Sequence, residues 1–269
     1  MSYCSPFPYA GFAMKKFSFA VAATLSLLAI TLAVRADDTE ATREKLAKAL
    51  SVSKDKVRPS PIAGLYEIEH DHDFGYVTAD GKYLLQGDLV NVQTGEQITE
   101  NHRRADRLAA LKELGDDNVI KFDPPPPIAT KYVINVFTDV DCAYCRKLHS
   151  EMAGYNAQGI AVHYLFWPRS GPNTESWTRA EAVWCSADRN AALTKAKLGK
   201  DISAKKCDNP VAREYALGQQ LGIRGTPMLV LPNGDTVPGY IPPKVLADHL
   251  AELDAADKKA AALAAAPKG

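Results

Sequence analysis

The sequence predicts an α+β chain with two folded parts joined by a helix, and three observations carry that reading. From Gly64 to Val92, residues alternate in the manner of short strands around an Asp80-Gly81 turn. From about Glu100 to Leu114, Leu108, Leu111 and Leu114 recur at helical spacing among charged residues. Beyond Tyr132, strand-like and helix-like stretches follow one another, as in a sheet covered by helices. At 269 residues, 46% apolar and 24% charged, the chain is long enough for one large or two modest domains and too apolar to be disordered. Formal net charge is zero and no run is basic, so nucleic-acid binding is not expected and function must reside in a site.

The N-terminus reads as an export signal. Lys15 and Lys16 precede an apolar run from Phe17 to Val34, and Val34-Arg35-Ala36 offers a cleavage site before Asp37-Asp38. Residues 1–36 are therefore expected to be a signal peptide cleaved after Ala36, with translation starting at Met1 or Met14. An uncleaved membrane anchor is the alternative, but Ser18, Thr24, Ser26 and Thr31 dilute the run. The mature chain would carry 29 basic and 32 acidic residues, a net charge of −3.

Element by element, residues 37–50 read as a short helix with Leu46, Ala49 and Leu50 on one stripe, and Pro59 and Pro61 prevent its continuation. Gly64–His70, Phe74–Thr78, Lys82–Gln86 and Asp88–Val92 read as a meander, so residues 37–99 form a small sheet domain without catalytic signals. Exposed strand edges make such a module suited to dimerisation. Residues 100–127 read as a connecting rod, capped at Gly115 and followed by the stiff run Pro124–Pro127. In residues 128–257, strands at Tyr132–Thr138, Ile160–Trp167, Met228–Leu231 and Thr236–Val237 are expected. Helices are expected at Cys142–Tyr155, Trp177 to about Leu198, Ala212–Leu221 and Pro243–Leu253. The order β-α-β-α-α-β-β-α is that of a thioredoxin-type domain with a helical insertion. Residues 258–269 read as a fraying Ala/Lys-rich tail.

Export directs attention to the cysteines. Cys4 falls in the discarded segment, leaving Cys142, Cys145, Cys185 and Cys207, too sparse a set for a disulfide-stapled scaffold. Cys142-Ala143-Tyr144-Cys145 follows a strand and opens a helix. There the unpaired N–H groups and the helix dipole favour an anion. Cys142, nearer the helix end, is expected to be exposed and nucleophilic. Cys145, one turn in, is expected to be shielded and to resolve the mixed disulfide. Half a zinc site is the competing reading of C-x-x-C, but Cys185 and Cys207 lack the matching spacing. An inert structural bridge is another, disfavoured because so short a loop stabilises little. Cys185 and Cys207 lack a helix-start context and read as a structural disulfide. Gly225-Thr226-Pro227 before a strand is either an ordinary loop stop or a cis Thr226–Pro227 bond beside the active site that offers the Thr226 backbone to substrate. His149 reads as a surface residue. Asp139 and Asp141 read as loop or helix caps that could relay protons, and Trp177 and Trp184 as core.

These residues together resemble the periplasmic protein disulfide isomerases of the DsbC/DsbG family. The resemblance rests on Val136-Phe137-Thr138-Asp139, Cys142-Ala143-Tyr144-Cys145, Lys147-Leu148-His149 and Tyr155-Asn156-Ala157. It continues in Tyr215-Ala216-Leu217-Gly218, Gly225-Thr226-Pro227 and Val237-Pro238-Gly239-Tyr240, and in Pro61-Ile62-Ala63-Gly64-Leu65 and Asp80-Gly81-Lys82 of the first domain. It implies a cystatin-like dimerisation domain, a V-shaped homodimer, misfolded exported proteins as substrates and chaperone activity. It implies substrate contacts at Tyr144, Thr226 and cis Pro227, a DsbD-type membrane reductase as partner, and no cofactor or metal. Ala143 stands where the family commonly has Gly, within the pair that sets redox poise. A dithiol oxidase and a chaperone-like binding protein with secondary thiol chemistry are the alternative functions.

Overall fold

The computed structural model describes residues 39–70 and 73–265, with side chains described through residue 259. The expected signal peptide, its cleavage point and Cys4 lie outside the described residues, as do residues 266–269. The chain forms two compact units that divide between Gly87 and Asp88.

In the first unit, helix α1 (residues 39–50) accompanies an antiparallel sheet of order β1-β2-β3-β4. The strands are β1 (Val57–Pro59), β2 (Leu65–His70), β3 (Asp73–Thr78) and β4 (Leu84–Gln86). Strand β1 escapes a pattern reading because three residues ending in proline show no alternation. Its register with β2, Val57 opposite Ile68, is set by packing. The expected strand Asp88–Val92 does not form, and only an isolated bridge joins Val90 to Gln97. The core is small: Leu46 and Ala47 of α1 meet Val57, Tyr66, Ile68 and Val77. Glu67 and Glu69 are buried on β2 and find cationic partners there, Glu67 in Arg58 and Glu69 in Lys56 and Arg58. The Tyr76 hydroxyl also donates to Glu67, at 3.0 Å.

The second unit is built on a five-stranded sheet of order β5-β7-β6-β8-β9. The strands are β5 (Ile120–Phe122), β6 (Tyr132–Thr138), β7 (Ile160–Phe166), β8 (Met228–Val230) and β9 (Thr236–Pro238). Only β6 and β7 run parallel, with Ile134 opposite Val162. Every residue of β7 is buried, as expected of a central strand covered on both faces. Helices α3 (Ala143–Ser150) and α4 (Met152–Ala157) replace the single helix expected there, with a break at Glu151. The expected long helix likewise divides into α5 (Glu175–Trp184) and α6 (Arg189–Lys197). Asp188 starts α6 afresh, its carboxylate accepting the Ala191 N–H at 2.9 Å, and a capping aspartate outcompetes continuation. Helix α7 (Val211–Gln220) precedes β8. Helix α8 (Pro243–Ala265) runs well past Leu253, so most of the expected fraying tail is helical. Its alanines, the strongest helix formers, account for the extension.

Helix α2 (Ile98–Leu114) is not a free rod. Ala110, Leu111 and Leu114 pack on a second core of Phe137, Leu165, Trp167, Leu217, Ile223 and Val230. Arg107 is buried and donates to the Gly234 carbonyl at 2.8 Å and to Glu100 at 2.7 Å, and Arg104 pairs with Asp235. Gly234 has φ of 85°, and a Cβ there would lie 2.5 Å from the Arg104 carbonyl oxygen, so the turn admits only glycine. The helix therefore belongs to the second unit, not to the connector expected at residues 100–127.

Candidate active site

Strand β6 carries the chain through the middle of the sheet to Thr138 and Asp139. There the loop to α3 closes with the Cys142 N–H bonded to the Asp139 carbonyl at 3.3 Å. Cys142 is the N-cap of α3. Its backbone is extended (φ −80°, ψ 124°), and its sulfur accepts the Cys145 N–H at 3.4 Å. Sulfur thus occupies the place a serine or aspartate oxygen takes in a conventional cap, facing the positive end of the helix.

The Thr226–Pro227 bond is cis, and the Thr226 carbonyl lies at the motif. As a thiol, Cys142 donates to that oxygen at 3.1 Å. Hydrogen bonding from Cys145 is the largest influence holding the Cys142 thiol at about 5. Burial opposes it, while the Thr226 side chain, the Cys145 N–H and the Arg169 charge assist. Burial pushes the Cys145 thiol well above its usual range, and hydrogen bonding to an ionised Cys142 adds to the rise. One sulfur is thus an anion at neutral pH and its neighbour holds a proton. The arrangement can attack a disulfide through Cys142 and then close a bridge from Cys145.

The expected contrast in exposure is not found. Cys142 is 3% exposed and Cys145 1%, because the Thr226 loop lies over the motif. Tyr144 between them is 66% exposed and marks the open side of the site. Cys185 and Cys207 are joined in a disulfide, with Cα atoms 5.6 Å apart, so they supply no ligands to a metal at the motif.

Charged groups surround the motif in an order the sequence did not disclose. Asp139 is buried. Burial alone would raise its pKa, but hydrogen bonds from Ser176, from the Asp141 and Arg169 N–H groups and from the Arg169 side chain hold it below the usual carboxylate range. With both oxygens occupied, Asp139 is a structural brace. Asp141 pairs with Arg146 and Arg179. His149, expected at the surface, is 7% exposed. Its ring nitrogens lie 3.2 Å from the Tyr164 hydroxyl and 3.0 Å from Thr194 Oγ1, because the α3 face that buries Cys145 turns toward β7 and α6. Burial, aided by the Lys197 charge, lowers His149 to about 4 and keeps it neutral. Trp184 is buried as expected, and half-buried Trp177 meets the Tyr215 ring edge-on. Sequence reasoning missed Arg169 and Lys197. Lys197 had a readable signal: it lies four residues after Leu193, on the buried stripe of its helix.

Two family models match this chain. Residues 33–100 match the disulfide bond isomerase protein N-terminal domain, and residues 128–254 match a thioredoxin-like domain. The thiol:disulfide interchange protein DsbC of Dickeya dadantii (strain 3937) is 41% identical over 234 residues, 86% of this chain and 93% of that protein. The chain belongs to the DsbC family. The DsbC of Escherichia coli (strain K12) is 39% identical over 219 residues, covering 81% of this chain and 89% of that protein. A crystal structure of a disulfide interchange protein from Neisseria gonorrhoeae aligns at 33% identity with a TM-score of 0.44, over 51% of this chain and 95% of that one. As in the DsbC family at large, the architecture is α+β, with a small N-terminal sheet domain and a thioredoxin-like domain that carries a helical insertion.

Proposed function

We propose that this protein is a periplasmic thiol:disulfide isomerase that reduces and reshuffles incorrect disulfides in exported proteins. The observation that carries the reading is the sulfur of Cys142 at the α3 N-cap, held as a thiolate beside the protonated Cys145. The thiolate attacks one sulfur of a wrong disulfide, giving a Cys142–substrate bridge and a free substrate thiolate. That thiolate either attacks a second substrate disulfide, and the thiolate displaced there attacks the Cys142 bridge and frees Cys142, which isomerises the substrate, or Cys145 attacks the bridge at the Cys142 sulfur and releases reduced substrate. The Thr226 backbone, Pro227 and exposed Tyr144 form the surface on which substrate lies. A homodimer through the first unit is supported by edge strand β4, where Leu84 and Leu85, with Tyr83 just before it, are exposed on a unit matched by the isomerase N-terminal domain. The presence of that first unit also favours an isomerase over a dithiol oxidase. Signal cleavage after Ala36, chaperone activity in the dimer and re-reduction by a DsbD-type membrane protein complete the proposal.

The test is refolding of a scrambled-disulfide protein with the reduced enzyme and its Cys142→Ala variant. Recovery with the wild type and none with the variant supports isomerisation. Equal recovery with both makes substrate binding the function. Charging the edge with Leu84→Glu and Leu85→Glu is expected to give monomers by analytical ultracentrifugation.

A further inference from the structure

Lys197 ends helix α6 with 4% of its surface exposed. Its ammonium donates to Thr138 Oγ1 at 2.6 Å and to the Asp139 carbonyl at 2.9 Å. Both acceptors are neutral oxygens. The Asp139 carboxylate is taken up by Arg169, Ser176 and the Asp141 N–H. An ammonium buried against neutral oxygens is held at a cost, and a buried lysine gives up its proton readily. The same two residues that anchor Lys197 also bear on the resolving sulfur: burial raises the Cys145 thiol, while the Lys197 charge, the Asp139 backbone and the Thr138 side chain favour its thiolate.

We propose that Lys197 is a positioning residue for the resolving step, taking up the proton of Cys145 through the Thr138 hydroxyl. The inference rests on the redox reading of Cys142 and Cys145 and adds the group that makes the second sulfur reactive. Burial brings Lys197 down to about 8, against the opposing pull of Cys145, Asp139 and Cys142, so a neutral amine is accessible near physiological pH. In the mixed disulfide the Cys142 sulfur is no longer an anion. The Cys145 proton then passes to Thr138 Oγ1 while the hydroxyl proton passes to the Lys197 amine, leaving a thiolate and an ammonium. The thiolate forms the Cys142–Cys145 bond, the Cys142–substrate bond breaks, and its electron pair leaves on the substrate sulfur. The cysteine pair is oxidised by two electrons and the substrate disulfide is reduced by two.

The charged and titratable groups packed around Lys197 and Cys145 are Asp139 on the loop after β6, Cys142, Arg146 and His149 from α3 and its N-cap, Tyr164 of β7, and Arg169 beyond it. Arg179 of α5 donates to the Ala196 carbonyl. Hydrogen bonding to the Asp139 carboxylate raises Arg169 above its already high range, so it stays charged. His149 titrates at about 4, and burial lifts Tyr164 far above neutrality. Between pH 6 and 9, therefore, Lys197 is the group whose charge changes beside Cys145.

The full-length reduced protein is mixed with glutathione disulfide, and two steps are followed by rapid acid quench and mass spectrometry. The first is formation of the Cys142–glutathione disulfide, and the second is its resolution by Cys145. In Lys197→Met, which keeps the side chain's length and apolar stem, the first step is expected to keep its rate and the second to fall about tenfold or more at pH 7. Resolution in the variant should then rise with hydroxide from pH 7 to 9, where the wild type levels off near 8. Thr138→Val, which breaks the bridge but keeps Lys197, should reproduce the slow second step. Resolution within twofold of wild type with the same pH profile in Lys197→Met overturns the inference while leaving the redox reading intact. Absence of both the Cys142–glutathione disulfide and the Cys142–Cys145 bridge in the wild type overturns both.

Discussion

Cys142 and Cys145 stand three residues apart across the first turn of α3, whereas Cys185 and Cys207 are 22 residues apart and tie the end of α5 to the loop before α7. Both pairs lie in the second unit. In the first pair, one sulfur caps a helix and accepts an N–H, and its neighbour is buried with a proton it holds tightly. In the second, Cys185 is the C-cap of α5 and Cys207 lies in the loop before α7, and the bridge spans 22 residues. The difference teaches that reactivity comes from asymmetry. A bridge with neither cysteine opening a helix is a tether. A pair whose proton affinities are driven far apart exchanges electrons, and a loop of so few residues adds little entropic reason for it to stay closed.

The comparison breaks most directly at the first pair. Cys142→Ser should lower the rate of disulfide reduction by roughly a thousandfold or more, measured by insulin turbidity with dithiothreitol as reductant. Paired replacement of Cys185 and Cys207 by alanine should do the reverse. Unfolding free energy is expected to drop by about 3 kcal/mol in urea titrations, with reduction of insulin retained. A comparable loss of activity on opening that bridge would show that the tether is part of the catalytic machinery.

A pH series sharpens the contrast further. Alkylation of Cys142 by iodoacetamide should be half-maximal near pH 5 and flat through neutrality, where an ordinary thiol would still be gaining reactivity. The sign for stability follows. Folding depresses this pKa, so the thiolate's contribution is complete above pH 9 and is lost as pH falls toward 5. Thermal melts of the reduced protein should therefore decline over that interval more than melts of the oxidised protein. The smallest effect is expected at His149. His149→Phe should leave the iodoacetamide profile between pH 5 and 8 unchanged, because the buried ring is already neutral there. An altered profile would place that ring among the groups governing Cys142.

Much of this site was legible beforehand because its signals are local. C-x-x-C spacing after a strand, the Thr226-Pro227 pair and the lone partners Cys185 and Cys207 need no tertiary information to be noticed. The helix breaks at Glu151 and at 185–188 were not read, because a polar residue inside an amphipathic run looks like a solvent-facing position; at Asp188 only the side-chain cap on the Ala191 N–H reveals the restart. Strands β1 and β5 were too short to show a period. His149 was misplaced for a related reason: its burial depends on β7 and α6 arriving from far along the chain.

By itself the sequence determined most of the longer elements and which sulfur sits at a helix mouth, since hydrophobic period, turn residues and capping act over a few neighbours. Tertiary structure decided everything that depends on enclosure. It buried Cys142 under the Thr226 carbonyl, wrapped Asp139 in donors and lodged the Lys197 ammonium beside Thr138. Proton affinity responds to burial and to charges brought together by the whole fold, and no window of sequence contains those.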